Sequence, residues 1–309
     1  MSASNKTSTH TYAGDDRNNS ILININGELF PREEAKVSVF DSAFMLGDGV
    51  WEGLRVHKGK VAFLQTHLNR LSAGAKALDF DLGISQKELV DRIHQTLDAN
   101  DMHEGVHLRL MVSRGTKSTP YQDPRVTITP PTIVIIPEYK EVLPETVEKG
   151  IELFTVHVRR GYPDVQDPKL NSHSKINCIV ACIQATKAGA DEALMLDPHG
   201  FVATCNSTHF FIVKDEQVIT STGQFCIDGV TRGAVLEVCR QQGIVSAQTN
   251  FSLSEVYSAD EAFVTGTFAG LVPVRTIDGR QIGSGQRGPM VKKLQSLYMD
   301  MLAKECSHE

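Results

Sequence analysis

No run of apolar residues in this 309-residue chain approaches the ~20 needed to cross a bilayer, so a membrane-spanning role is not expected. The opening stretch MSASNKTSTHTYAGDDRNNS lacks the apolar block of a secretion signal, and a cytoplasmic location follows as the expectation. Lys and Arg form no long run, and the net charge of −6 comes from interspersed acids and bases, which argues against nucleic acid as a partner. The six cysteines (178, 182, 205, 226, 239 and 306) make no CxxC and no Cys/His group at zinc-finger spacing. No metal site is expected, and all six read as reduced thiols. There is a single tryptophan, no low-complexity tract and no repeat that would build a solenoid.

What remains is an ordinary folded composition, 41% hydrophobic and 22% charged, in a length that suits two medium domains. Residues 1–19 are expected to be a flexible tail. Ile21 to Phe30 alternates around Asn26-Gly27, the pattern of a hairpin, and Val50 to Val61 reads as strand, Lys58-Gly59 turn and strand. Leu68, Leu71, Ala75 and Leu78 have helical spacing, and Ser85 with Glu88 predicts a capping box for a helix through Leu97. Leu108 to Val112 and Thr132 to Ile136 are apolar strands, completing a small α/β domain over 20–140. Proline and charge gather at 137–150, which places a linker at 141–150. A larger α/β domain over 151–309 follows, with strands at 151–158, 193–196, 210–213 and 261–265 and helices from about Lys175 and from Thr231.

Five stretches resemble the class IV aminotransferases in the family's own order: FDSAFMLGDGVWEG (40–53), HLNRL (67–71), GADEALMLD (189–197), GVTR (229–232) and ADEAFVTGTFAGLVPV (259–274). The resemblance implies fold type IV, an α/β architecture of two domains with pyridoxal 5′-phosphate in the cleft between them. It also implies a homodimer acting on a small-molecule amino acid and a 2-oxo acid. Branched-chain and D-amino-acid transaminases and aminodeoxychorismate lyase share this family.

Arg70 offers a planar fork of donors to a phosphate. Gly229-Val230-Thr231 precedes a helix, where free N–H groups and the helix dipole favour an anion, and the bland reading of Thr231 is an N-cap. By the resemblance, Val230, Thr231 and Thr267 join Arg70 at the cofactor phosphate. The resemblance also puts Trp51 beside the cofactor, although a lone tryptophan is more often a core residue. Arg109 and His107, in HLRL, stand near the substrate carboxylate, although Arg109 can also be read as an edge-strand arginine. Phe268 and Ala269 fall beside the substrate, and Phe44, Phe268 and Trp51 are expected to line its apolar pocket.

Two positions depart from the family. Aligned on Asp167-Pro168 and Gly189, Asn171 occupies the place of the Schiff-base lysine, and asparagine cannot form an imine. Lys169 begins about 6.6 Å back along a strand, roughly a lysine side chain's length. Lys175 lies four residues on, where branched-chain relatives present a tyrosine to the cofactor's phenolic oxygen, and it is the preferred amine. Thr204 stands where relatives place a glutamate on the ring nitrogen, and a hydroxyl can hydrogen-bond a neutral ring without holding its charge. The leading expectation is an aminotransferase. A lyase of the aminodeoxychorismate type and a phosphate-binding homologue without transamination are the alternatives.

Overall fold

A computed structural model describes residues 9–10 and 12–307, folded as two compact units, each built on its own sheet. The six-stranded unit comprises Gly14–Glu141 and Leu170–Lys175 with the described residues from 305 on. The nine-stranded unit comprises Val142–Lys169 and Ile176–Lys304 with the described residues of 1–13.

In the six-stranded unit the strands are β1 (Leu22–Ile25), β2 (Glu28–Pro31), β3 (Gly49–His57), β4 (Lys60–Val61), β5 (Val106–Ser113) and β6 (Thr132–Tyr139), in the order β2-β1-β6-β5-β3-β4. The helices are α1 (Ser42–Leu46), α2 (Leu64–Ala77) and α3 (Gln86–Ala99). Both predicted hairpins form, with Asn26 and Lys58 at positive φ beside their glycines. Half of the predicted capping box forms: Ser85 Oγ accepts from the Glu88 N–H, whereas the Glu88 carboxylate pairs with Arg92 one turn on. Strand alternation divides the two faces of the sheet. Val50, Leu54, Val56, Leu108, Leu110, Ile133 and Ile135 point into a core closed by Leu68, Leu71, Leu89 and Ile93 of α2 and α3. The half-buried residues of β3, β5 and β6 make the other face: Trp51 is opposite Met111, which is opposite Val134, and Gly53 is opposite Arg109, which is opposite Ile136.

One charge sits on the core face. Glu52 is fully buried and accepts from Arg70 through Nε (2.7 Å) and NH2 (2.6 Å), and from His67 through Nδ1 (2.7 Å). His67 and Arg70 are three apart on α2, so one helix face delivers both donors. Burial alone would raise the Glu52 carboxyl, but these hydrogen bonds outweigh it and hold the group below the ordinary glutamate range.

The nine-stranded unit carries β7 (Ile151–Thr155), β8 (Glu192–Leu196), β9 (Val202–Cys205), β10 (His209–Lys214), β11 (Gln217–Thr220), β12 (Ser246–Gln248), β13 (Glu261–Gly266), β14 (Gly270–Ile277) and β15 (Arg280–Gln281). Its path is β12-β11-β10-β13-β14-β7-β8-β9, with β15 on β14. Its helices are α4 (Pro144–Lys149), α5 (Pro163–Gln166), α6 (Ile176–Ala188), α7 (Val230–Gln241), α8 (Leu253–Tyr257) and α9 (Pro289–Glu305). The stretch 141–150, expected as a linker, contains α4, started by Pro144 and stopped at Gly150. The expected tail over 1–19 falls partly outside the described residues. Of the described part, Asn18 is buried and bonds the Tyr139 backbone through both ends of its amide.

Replacing Glu52 with alanine strands Arg70 and His67, and a loss of about 3–5 kcal/mol is expected from the urea midpoint at pH 7. Because the folded pKa lies below the ordinary value of 4.5, this contribution is complete above that pH and is lost as pH falls through the folded value. The stability gap between wild type and Glu52→Gln should therefore shrink as pH drops below 4.5.

Candidate active site

The chain returns to the six-stranded unit for six residues, Leu170–Lys175, and these are pinned along β3. The Trp51 N–H donates to the Asn171 carbonyl (3.0 Å), and the His173 N–H donates to the Gly49 carbonyl (2.9 Å). Ser172 bridges Val50 in antiparallel sense, and the Trp51 indole Nε1–H donates to the Ser172 carbonyl (3.1 Å). Gly47, at φ 69°, closes α1 in a conformation few side chains tolerate, and a Cβ there would press on the Ser174 backbone.

This strap forms one wall of a cavity of about 570 Å³ within the unit. Trp51, Met111, Val134 and Ile136 supply the open sheet face, Val37 and Phe44 come from the segment around α1, and Arg109, His173 and Lys175 bring the polar groups. Lys175 immediately precedes α6, one residue short of the helical turn expected for it, and its Nζ donates to Asn171 Oδ1 (3.1 Å). The Nζ also lies 5.3 Å from the Trp51 ring centroid, and the Arg109 guanidinium carbon lies 3.8 Å from the same ring. β5 is an interior strand, so Arg109 is not the edge-strand arginine of the bland reading. Its guanidinium has no hydrogen bond or ion pair among the described residues, and burial lowers its pKa from the usual arginine value. Burial likewise pushes the His173 imidazole below the ordinary histidine value.

The other expected site residues of this unit lie elsewhere. Arg70 is held edge-on by Glu52, and His107 projects over Gly53 rather than lining the cavity. His173 and Asp41 are cavity residues that the sequence alone did not single out. The alternation from Asn171 to Lys175 would have indicated the former.

Lys169 belongs to the nine-stranded unit and makes an exposed ion pair with Asp228 (2.8 Å). In that unit α7 begins at Val230, after Gly229 as N-cap, so Thr231 lies inside the first turn and is not the N-cap of the bland reading. His209, unnoticed in the sequence, packs against Gly229 closely enough that a Cβ there would overlap its ring. Thr208, the residue before it, has its methyl 3.4 Å from where a Cβ on Gly266, at the end of β13, would sit, and Thr267 follows in the turn to β14. The Thr204 hydroxyl donates to the Thr208 carbonyl (2.8 Å). Its proton is therefore committed, and it presents lone pairs rather than the donor expected of it. A buried carboxylate, Glu192, braces this turn by accepting from the hydroxyls of Thr9, Ser207 and Thr208. Thr204, Thr208, His209, the start of α7 and the β13–β14 turn thus form one continuous neighbourhood. Phe268 and Ala269 are buried in this unit's core, with Phe268 stacked on the His10 ring.

An amine and a guanidinium that has no hydrogen bond or ion pair among the described residues thus face one apolar cavity, in a mixed α/β fold. The amino-transferase class IV family model matches residues 49–277, and the chain belongs to that family. It is 41% identical over 281 residues to branched-chain-amino-acid aminotransferase-like protein 2 of Arabidopsis thaliana, covering 91% of this chain and 50% of that one. It therefore spans about half the length of that plant relative. A putative branched-chain-amino-acid aminotransferase of Methanocaldococcus jannaschii is 38% identical, with 91% of this chain and 96% of that one covered. Among solved structures, the T.th. branched-chain amino acid aminotransferase with pyridoxamine 5′-phosphate superposes with a TM-score of 0.86 at 29% identity, covering 93% of this chain and 96% of that one. These neighbours give the fold as type IV.

Gly229→Ala should destabilise the protein by roughly 1–3 kcal/mol through overpacking. Adding His209→Ala should return part of that loss, which thermal unfolding of the single and double variants would measure.

Proposed function

We propose that this chain is a pyridoxal-phosphate aminotransferase that moves an amino group between an amino acid with an apolar side chain and a 2-oxo acid. The observation that carries the reading is the cavity of the six-stranded unit, where the Lys175 amine and the unpaired Arg109 guanidinium meet an otherwise apolar lining. Bound in such a site, the cofactor supplies an aldehyde that accepts the amino group and a ring that takes up electrons from the substrate's Cα.

The residues fit that chemistry. Lys175 is the amine assigned to the aldehyde and the group that carries the proton to and from Cα. Arg109 pairs with the substrate carboxylate, for which its planar fork is matched. Trp51, Met111, Val134 and Ile136 exclude water and select a branched or linear apolar side chain. In the nine-stranded unit, the first-turn N–H groups of α7, with Thr231, and the Thr267 turn are assigned to phosphate. Thr204, its proton spent on Thr208, offers only an acceptor to a ring nitrogen. Lys169, held by Asp228, is not assigned to the reaction.

A homodimer is part of the proposal. Ile176, Ile179, Val180 and Ile183 form a stripe at helical spacing on α6 and are 68%, 49%, 38% and 47% exposed. A second copy would cover this stripe. The free cysteines suit the reducing cytoplasm.

Borohydride reduction followed by peptide mapping should find the cofactor fixed on Lys175, and Lys175→Ala should lose roughly 10⁴-fold or more in turnover while Lys169→Ala keeps it. Cofactor fixed on Lys169 would reverse the assignment, and no turnover of any amino acid with 2-oxoglutarate would remove the aminotransferase reading. Arg109→Leu should raise KM for both substrates by roughly tenfold to a hundredfold. Sedimentation should show a dimer for the wild type and a monomer for Ile179→Asp with Ile183→Asp.

A further inference from the structure

We infer that Asn171 is a positioning residue that fixes both the place and the protonation of the Lys175 amine. The inference takes its meaning from the assignment of Lys175 above, but the contact itself is independent of it. Asn171 is buried, and its Nδ2 donates to the Trp51 carbonyl at 2.6 Å. A carbonyl only accepts, so the amide cannot be turned round without losing that bond. The opposite end, Oδ1, is therefore the atom facing Lys175 Nζ at 3.1 Å. The Asn171 carbonyl is also taken, by the Trp51 N–H, so backbone and side chain are locked to the same residue of β3.

A rigid acceptor beside an amine favours its ammonium form, and the indole face acts in the same direction. Arg109, over the same ring, acts in the opposite direction, because two cations on one indole repel. Asp41 and His173 are the remaining titratable groups lining the cavity. Asparagine meets a demand its isosteres do not: leucine lacks both the acceptor and the donor, and aspartate would hold the proton more tightly while turning an oxygen onto the Trp51 carbonyl.

The test reads the amine without turnover. Competitive acylation of the cofactor-free protein across pH, quantified by mass spectrometry of the Lys175 peptide, gives the midpoint of its titration. Loss of one hydrogen bond to a charged group should lower that midpoint by about one pH unit in Asn171→Ala, making Lys175 about ten times more reactive below it. Asn171→Asp should move it upward. A purely structural role would not produce shifts of opposite sign, and near-UV circular dichroism checks folding in both variants. A midpoint unmoved in either folded variant, or moved the same way in both, overturns the inference. Cofactor fixed by borohydride on another lysine would overturn the functional assignment of Lys175 and leave this result standing.

Discussion

Much of the six-stranded unit's site depends on one reciprocal clamp between Trp51 and the strap at 170–175. Four hydrogen-bonding groups of Trp51 and Asn171 face each other, backbone and side chain, and the indole N–H adds a bond to Ser172. In sequence the strap runs between Lys169 and α6, and it lies along β3. The clamp turns that passing segment into a wall, and the same indole that holds it carries Arg109 and Lys175 on its π system. Backbone and side chain of one residue, Trp51, therefore tie the strap and both cations of the cavity together. Small changes along β3 would move both cations together.

β3 can serve both purposes because adjacent residues of a strand face opposite ways. Glu52 points into the core and is neutralised by His67 and Arg70 from α2, which ties the strand to its helix by charge as well as by packing. Trp51 points away into the cavity. A buried carboxylate next to a cavity-lining residue costs desolvation, and its partners stabilise β3 beside the strap. Gly53 completes the pattern: without a side chain it leaves space for His107, and Arg109 stays over the tryptophan.

Much of this was legible in the sequence where the signal was local. Hairpins written as Asn-Gly and Lys-Gly, the α2 spacing and the strand alternation need only neighbouring residues, and each forms. The half-formed capping box at Ser85 shows the limit, because Arg92 competes for Glu88 from the next turn and composition alone does not rank the two partners. The stretch before β7 looked like a linker because its periodicity lapses, but α4 is too short to display one. His209 and Glu192 gave no sign at all. Their significance lies in contacts with Gly229 and with the hydroxyls of Thr9, Ser207 and Thr208, at separations of 15 residues or more.

The departures from the family pattern become intelligible together rather than singly. An asparagine where the resemblance leads one to expect a lysine would imply a simple loss if nothing else had changed, but here the amide oxygen meets the amine of Lys175. The residue that cannot form an imine is well suited to hold one that can. Thr204 follows the same logic in the other unit: judged by its side chain alone it is a donor, yet the Thr208 carbonyl takes its proton and leaves an acceptor. In both places the substituted residue acts through what its neighbours leave it able to do. Hydrogen-bonding character in each place belongs to the pair, and a residue judged without its partner is assigned the wrong chemistry.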